Sequence, residues 1–216
     1  MTWIHSFSHL KIPFYIYKLN RGDSIIRNPC IQDNRCIIIL HGIIHEIQIF
    51  TNNEILSIAI LKKNNIIDLN YNFISYKSYH KLIAIEETYI ISFSYNELKY
   101  SNTTNIQFFD NLINGYKMTL YQHKIMRQIL AHKYMKSRVI QLILFLSIEF
   151  GIIERTQIKV PFIIKKTDIA VMTGTNVNTI NKIIKQLHQN KFINYSTKNF
   201  IIINNYFIAH SLFLLN

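Results

Sequence analysis

The pattern of apolar and polar positions changes near residue 101. Before that point, short runs rich in β-branched and aromatic residues alternate with turn signals such as Asn20-Arg21-Gly22-Asp23 and His41-Gly42. The runs cover residues 11–19, 36–50, 54–61 and 80–94. Short strands at this spacing predict a β-sandwich or β-barrel.

From residue 106 the apolar positions follow the three- and four-residue spacing of a helix. The row comprises Ile106, Phe109, Ile113, Tyr116 and Leu120, and its continuation passes through His123, Arg127, Leu130 and Tyr134. Such a row predicts either a helix that pairs with a second helix along its length or a helix that packs on its own sheet. The two polar positions, His123 and Arg127, would fix the register of a helix pair.

A third pattern begins at residue 137. Residues 137–151 predict a buried helix that Gly151 terminates, and residues 157–164 predict a short extended segment. Residues 190–205 predict two strands around a polar turn, which is the hairpin or "wing" of many DNA-binding domains.

Between these segments, residues 167–187 meet the narrow steric requirements of a helix-turn-helix. Small Ala170 suits the crossing of the two helices, and Gly174 suits the left-handed backbone of the turn. The second helix would bury Ile180, Ile183, Ile184 and Leu187. Its outer face would then carry Asn176, Val177, Asn178, Asn181, Lys182 and Lys185, which indicates contact with DNA rather than a purely structural helix pair.

The charge of the chain agrees with a polyanionic partner. The formal net charge is +12 and the sequence pI is about 9.6, which favours nucleic acid or an anionic membrane surface over an acidic or neutral partner. A uniformly solvated basic surface has the same composition. A membrane-surface protein would explain the charge but not the combination of Ala170, Gly174 and Ile180.

The sequence gives little indication of metal binding, catalysis or membrane insertion. Cys30 and Cys36 form neither a disulfide framework nor a zinc site, so we expect a reducing compartment and no metal. The histidines do not cluster, and no phosphate-binding loop, nucleophile elbow or pair of catalytic carboxylates occurs, so an enzyme is not expected. The N-terminus lacks the pattern of a signal peptide, and the longest apolar run, residues 139–153, is too short to span a bilayer. We therefore expect a soluble protein without membrane contact.

The segment Thr167–Ile193, followed by "FIIINN", resembles the C-terminal winged helix of the Crp/Fnr transcription regulators. Residues 129–151 resemble the junction helices of the nitrogen-regulator branch of that family, and "KLNRGDSII" and "CIIILHGIIHEI" resemble two turns of its effector-binding jelly roll. The resemblance implies an α+β protein with three parts. These are a cyclic-nucleotide-binding-like β jelly roll over residues 1–105, a dimerisation helix over 106–135, and a winged helix over 136–216 with its helix-turn-helix at about 166–185.

The resemblance implies a homodimer that places two second helices in successive major grooves of a roughly palindromic DNA site. The DNA-binding residues are then Lys166, Thr167, Thr175, Asn176, Val177, Asn178, Thr179, Asn181, Lys182 and Lys185. Thr175, Asn176, Thr179 and free backbone N–H groups at the start of the helix would hold phosphates, and Lys165 and Lys198 would add charge nearby.

The second helix departs from the family at its start. Val177 stands where the family has a guanine-gripping arginine, and Lys182 stands where a further arginine is usual. Valine can at most contact a thymine methyl group, whereas the adjacent Asn178 can pair with adenine. We expect stronger reliance on phosphate contacts or an A/T-richer target.

The effector pocket departs further from the family pattern. By resemblance its candidates are Asp68, Leu69, Lys77, Thr119 and Lys124, and the ligand would be 2-oxoglutarate. Asp68 stands where the family has a glycine, Thr119 where it has an arginine, and Lys124 where it has an acid. These changes favour a different effector, a weaker one or none.

The sequence therefore predicts a DNA-binding transcription regulator. The resemblance makes an activator role and RNA polymerase as a partner candidates, and the sequence leaves activation and repression both open. The alternative is a nucleoid-type protein or degenerate sensor that binds DNA with little selectivity. Residue types with A/T-rich codons dominate, so with the nitrogen-regulator resemblance we expect a plastid-encoded protein of the chloroplast stroma, or a cytoplasmic protein if the source is bacterial.

Overall fold

The computed structural model describes residues 2–27, 35–67, 78–100, 105–155, 157–195 and 200–203. The chain forms two compact units, residues 1–126 and 127–216. The first unit contains helices α1 (Thr2–His9) and α2 (Tyr95–Tyr100), most of α3 (Ile106–Ala131), and strands β1 (Phe14–Leu19), β2 (Ser24–Arg27), β3 (Arg35–His41), β4 (Ile44–Phe50), β5 (Ile55–Leu61), β6 (Ile66–Ile67), β7 (Ser78–Ala84) and β8 (Thr88–Ser94). The second contains the last turn of α3, helices α4 (Met135–Phe150), α5 (Lys166–Thr173) and α6 (Val177–Gln189), and strands β9 (Ile152–Glu154), β10 (Gln157–Lys159), β11 (Ile193–Tyr195) and β12 (Ile201–Ile203).

The first unit is built on two four-stranded antiparallel sheets. Their strand orders are β1-β8-β3-β6 and β2-β7-β4-β5. The predicted run 36–50 divides into β3 and β4 at Gly42, whose φ of 89° requires a residue without a Cβ atom. Of the two predicted arrangements, a β-sandwich or a β-barrel, the sandwich is present, and the jelly roll that the resemblance implies is confirmed.

Strand β3 is buried on both faces, because its alternate side chains enter two different clusters. Ile37 and Ile39 join the cluster that also contains Ile44 and Leu82 from the other sheet. Cys36 and Ile38 join a second cluster with the aromatic residues of α1 and the start of α3. A strand of consecutive apolar residues therefore reflects two-sided burial here.

The interpretation of the first hundred residues as strands was wrong at two places. Residues 2–9 form α1 and residues 95–100 form α2. The buried side chains of α1, Trp3 and Phe7, lie one helical turn apart, and Phe7 packs 4.8 Å from Phe93 and 5.3 Å from Phe108, measured between ring centroids. The long-range aromatic contact, which the short N-terminal sequence does not reveal, stabilises this helix.

Helix α3 has two apolar faces. One face is buried in the first unit, where Phe108 and Leu112 join the aromatic cluster and Gly115 lies against Asn64 and Ile66. The first part of the predicted row lies on the other face, where Ile106, Phe109, Ile113 and Leu120 are exposed, Ile106 to 75% and Ile113 to 50%. His123, further along the row, instead contacts Glu46 of β4. The helix ends at Ala131, so Tyr134, the last residue of the predicted row, lies beyond it as the N-cap of α4.

The second unit joins three helices to a four-stranded antiparallel sheet of order β11-β12-β10-β9. The two predicted wing strands are present as β11 and β12. Gly151 ends α4 as predicted, with its N–H bonded to Ser147 O at 3.0 Å. Its φ of −68° is not left-handed, and a Cβ atom there would instead overlap Ser147 O and the Ile158 side chain. Among the described helices, none is long and apolar enough to cross a membrane.

Candidate functional site

Helices α5 and α6 form the corner that the sequence predicts. Gly174 adopts the left-handed conformation, with φ 65° and ψ 42°, and Thr175 N donates to Ala170 O at 2.9 Å. Ala170 is buried at the crossing, and Thr173 Oγ1 donates to Ile169 O at 2.7 Å. The turn is therefore closed by hydrogen bonds and has one backbone conformation that favours glycine.

The start of α5 is held by its own residues and by the wing. Lys165 N donates to the Asp168 carboxylate at 2.8 Å, and the Tyr195 hydroxyl of β11 donates to Ile164 O. Burial, together with the negative charge of Asp168, raises the pKa of Tyr195 to about 12, so the phenol keeps its proton and remains a donor. Lys166 Nζ lies 5.6 Å from the centroid of the Tyr195 ring, which places this predicted DNA contact beside the wing.

The second helix is strongly two-sided. Its inner face buries the four predicted aliphatic residues, Ile180, Ile183, Ile184 and Leu187. Its outer face exposes Val177, Asn178, Asn181, Lys182 and Lys185, all predicted contacts. Two amides and two ammonium groups thus share a surface that the rest of the second unit leaves open.

The start of α6 differs in one respect from the sequence prediction. Asn176 Oδ1 accepts a hydrogen bond from Thr179 N at 2.8 Å, which caps the helix. That N–H is therefore not available to a phosphate, although Asn176 itself is exposed and Thr179 half-buried. The N–H groups of Val177 and Asn178, at the first two helical positions, are the ones that face outward along the helix dipole.

Other predicted contacts have simpler settings. Thr167 is exposed in the first turn of α5, and Thr175 is half-buried in the turn. Lys165 is exposed just before α5. Lys198 lies outside the described residues, as do Asp68, Leu69 and Lys77 of the predicted effector pocket and Cys30.

The two described pocket candidates on α3 have different environments. Thr119 is buried, and its Oγ1 atom accepts from Ile66 N at 2.9 Å and donates to Ile66 O, at 2.7 Å, so the hydroxyl links α3 to β6. Lys124 is exposed. The side chain at the position of the family's ligand-facing arginine therefore serves the attachment of α3.

One turn further along α3 lies a cluster that the sequence does not predict. Glu46 is buried, and its two carboxylate oxygens lie 3.0 Å from His80 Nδ1 and 3.0 Å from His123 Nε2. Burial alone would raise the pKa of Glu46, but the hydrogen bonds and charges of His123 and His80 outweigh it and lower the pKa to about 2. The sequence of β4 does not reveal this role, because a single acid on a strand gives no signal of its distant partners.

The neighbouring His45 is a core histidine. It is buried, its Nε2 lies 2.8 Å from Ser57 Oγ, and burial lowers its pKa to about 4 despite the nearby charge of Glu46. Among the described residues, no group of three His, Cys, Asp or Glu side chains could hold a metal ion. Cys36 is buried in the jelly roll.

The chain combines a jelly roll, a long helix with an exposed apolar row and a winged helix-turn-helix, which is the arrangement that its resemblance to the Crp/Fnr regulators implies. The chain is 25% identical over 202 residues to the HTH-type transcriptional regulator ycf28 of Porphyra purpurea, covering 93% of this chain and 83% of that protein. It is 20% identical over 206 residues to the global nitrogen regulator of Synechococcus elongatus, covering 94% and 92%.

The solved structures agree on the fold. A cyclic nucleotide-binding domain containing protein from Listeria monocytogenes matches with a TM-score of 0.75 and 16% identity, over 94% of this chain and 98% of that one. FixK2 from Bradyrhizobium japonicum matches with a TM-score of 0.70 and 15% identity, over 93% and 98%. No family model matches the chain.

The predicted resemblance to the Crp/Fnr regulators is therefore confirmed, and with it the α+β fold class. The sequence relatives are transcription regulators rather than enzymes, as expected, and one of them comes from a red alga.

Proposed function

We propose that this chain is a dimeric transcription regulator that binds double-stranded DNA through the outer face of α6. One observation carries the proposal: the corner exposes the polar and basic side chains of α6, with Val177 beside them, while burying its three isoleucines and its leucine. A helix face of this kind suits a polar partner, and the net charge of +12 favours a polyanion.

Each exposed residue has a distinct part in the proposed complex. Asn178 and Asn181, whose amides can pair with adenine, face the base edges, and the methyl groups of Val177 contact thymine. Lys182 and Lys185, with Lys165 and Lys166 at α5, neutralise phosphates. Thr167, Thr175, Asn176 and Thr179 add hydrogen bonds to the backbone of the duplex.

The partner in the dimer is a second copy of the chain, joined through the exposed row of α3. Ile106, Phe109, Ile113 and Leu120 form an apolar stripe over four turns, the repeat that helix pairs bury. Two α6 helices related by a two-fold axis would then read the two halves of a palindromic site.

For the jelly roll we propose a sensor role with altered chemistry. The described residues do not fit 2-oxoglutarate as the resemblance would place it: the Thr119 hydroxyl is bonded to Ile66, and the carboxylate of Glu46 lies beside His123, one turn from Thr119. A dicarboxylate would meet a buried negative charge there rather than an arginine. A different effector, or none, agrees better with these contacts.

The red-algal relative and the abundance of residue types that have A/T-rich codons support a plastid origin and a location in the chloroplast stroma. Activation would require contact with RNA polymerase. Transcription from a template with the selected site, with and without the protein, distinguishes activation from repression.

Selection from randomised duplexes at two salt concentrations tests the DNA-binding proposal. A consensus with two related half-sites that persists at the higher salt supports a sequence-selective regulator. Uniform binding that collapses with salt supports the second candidate, a nucleoid-type protein, which the valine at position 177 favours. No binding at either salt concentration would refute both.

A further inference from the structure

Arg138, in the first turn of α4, joins two parts of the second unit that are far apart in sequence. Its Nε donates to His132 O at 2.8 Å, and its Nη1 donates to Thr173 O at 3.4 Å. The side chain is half-buried. The planar fork of a guanidinium can hold two acceptors in fixed directions, which an ammonium cannot.

The two carbonyl groups lie at the C-terminal ends of two helices. His132 is the first residue after α3, and Thr173 is the last residue of α5. Carbonyl groups at a helix C-terminus lack intrahelical partners and carry the negative end of the helix dipole. A cation that bonds both therefore satisfies two acceptors and fixes two helix ends relative to each other.

Fixing Thr173 also fixes the start of the DNA-binding helix. Only Gly174, Thr175 and Asn176 separate Thr173 from α6, and the hydrogen bond from Thr175 N to Ala170 O closes this turn. The last turn of α3, residues 127–131, belongs to the same compact unit. The chain of contacts therefore runs from the end of α3 through Arg138 to the beginning of α6.

We propose that Arg138 is a positioning residue that sets the direction of α6 relative to the end of α3, and through it the half-site spacing that the dimer accepts. The inference rests on the proposed function, because spacing has meaning only for a dimer joined at α3 that reads DNA with α6. Each base pair added between half-sites rotates one of them by roughly 34° about the duplex axis, so a dimer with fixed α6 directions should tolerate few spacings.

The test uses the full chain and three variants. Arg138→Gln removes the charge and the fork, and Arg138→Lys keeps the charge but cannot hold both carbonyl groups in one geometry. Lys136→Gln, an exposed position of the same helical turn, is the matched loss of charge. The duplexes carry the selected palindrome at its own spacing, the same half-sites with the spacer changed by about one or two base pairs, and a single half-site.

For the wild type we expect a preference of at least about tenfold for one spacing. Arg138→Gln should lose most of that preference while its affinity for a single half-site stays within about twofold, and Arg138→Lys should be intermediate. Lys136→Gln should keep the wild-type spacing profile. A thermal melt establishes whether each variant is folded. If Arg138→Gln does not fold, the spacing profile of Arg138→Lys is the test of the inference.

An unchanged spacing profile in folded Arg138 variants would overturn the inference. An equal loss of affinity on all duplexes, the single half-site included, would also overturn it, since that is the result expected of a phosphate contact or a merely destabilised domain. A wild-type chain that binds no duplex would instead refute the proposed function, and the inference with it.

Discussion

The Nε2 atom of His123, on α3, lies 3.0 Å from the Oε2 atom of Glu46, on β4. The other carboxylate oxygen is 3.0 Å from His80 on β7, so one buried acid joins two strands of a sheet to the long helix. Together with the Thr119 hydroxyl, this contact attaches α3 to the jelly roll through polar groups rather than through apolar packing alone.

Glu46 should make the stability of the protein depend on pH in the acid range. Its folded-state pKa of about 2 lies below the ordinary value of 4.5, so the unfolded chain binds a proton first as the pH falls. The contribution, on the order of 3 kcal/mol, is therefore present above pH 4.5 and is lost between about pH 4.5 and 2. Urea unfolding at a series of pH values measures this effect, and Glu46→Gln should make the free energy of unfolding depend less on pH between 4.5 and 2. The same substitution should lower the free energy of unfolding at neutral pH by about 2–4 kcal/mol. Glu87→Gln, at an exposed carboxylate 2.9 Å from Lys18 Nζ, is the control and should leave the curve nearly unchanged.

His45 should add a second, higher window of pH dependence. Burial lowers its pKa from the ordinary 6.5 to about 4, so the folded state favours the neutral ring. As the pH falls through 6.5 the unfolded chain is protonated first, and the free energy of unfolding declines until about pH 4. His45→Gln, which keeps a hydrogen-bonding partner for Ser57, should make the decline between pH 6.5 and 4 shallower. His5→Gln, at an exposed position, should not; an equal effect of both variants would contradict the assignment.

Gly115→Ala should weaken the attachment of α3. A Cβ atom at this position would lie 2.7 Å from Asn64 O and 2.7 Å from Ile66 Cγ1, so the helix would have to move. The better helix propensity of alanine, worth about 1 kcal/mol, opposes this effect, but a backbone oxygen cannot rotate away. We expect a net loss of about 1–3 kcal/mol in the urea-derived free energy of unfolding.

Gly22→Ala is the control for Gly115→Ala, because it separates the cost of backbone strain from the cost of a steric clash. Gly22 has a φ of 90° with nothing within 4 Å of a Cβ atom, so the substitution introduces backbone strain without a clash. Its cost should be on the order of 1 kcal/mol. A stabilised Gly115→Ala protein would show that α3 can shift freely on the jelly roll.

Ile113→Lys should separate the proposed dimer. The side chain is 50% exposed on the apolar row of α3, and a two-fold interface would bury two copies of the new charge. Taking about 2 kcal/mol for each interface anchor, the dimer dissociation constant should rise on the order of 1000-fold, which sedimentation equilibrium measures. Ile26→Lys, at a residue that is 63% exposed on β2, should remain dimeric. If the Ile113→Lys protein remains dimeric, the apolar row of α3 does not form the dimer interface.

Val177→Arg should change the DNA sequence that the protein prefers. An arginine at this exposed first position of α6 can donate two hydrogen bonds to guanine, so a guanine-containing half-site should gain about tenfold or more in affinity. Asn190→Arg adds the same charge at the other end of α6 and should strengthen binding to all duplexes without changing the selected sequence. Selection experiments on both variants and the wild type give the comparison.

Part of the candidate site followed from local rules. The helix-turn-helix was predicted because Ala170, Gly174 and Ile180 each answer a steric demand within a few residues of sequence. The use of Asn176 as a helix cap was not predicted, since its carbonyl oxygen can serve either the backbone or a phosphate. The same ambiguity of short polar side chains applies to Thr119, whose hydroxyl bonds the backbone of Ile66.

The amino-acid sequence alone determined the two apolar periodicities, the corner at Gly174 and the basic charge, because these depend on spacing and on the conformations open to single residues. It did not determine α1, the two-sided burial of β3, the contact of Glu46 with His123 or the bonds of Arg138. Those arise only when residues separated by 35 to 101 positions meet, as Arg138 and Thr173, Glu46 and His123, and Phe7 and Phe108 do. Tertiary packing decides such pairs, because the free energy of a buried charge or an aromatic cluster depends on which distant groups surround it.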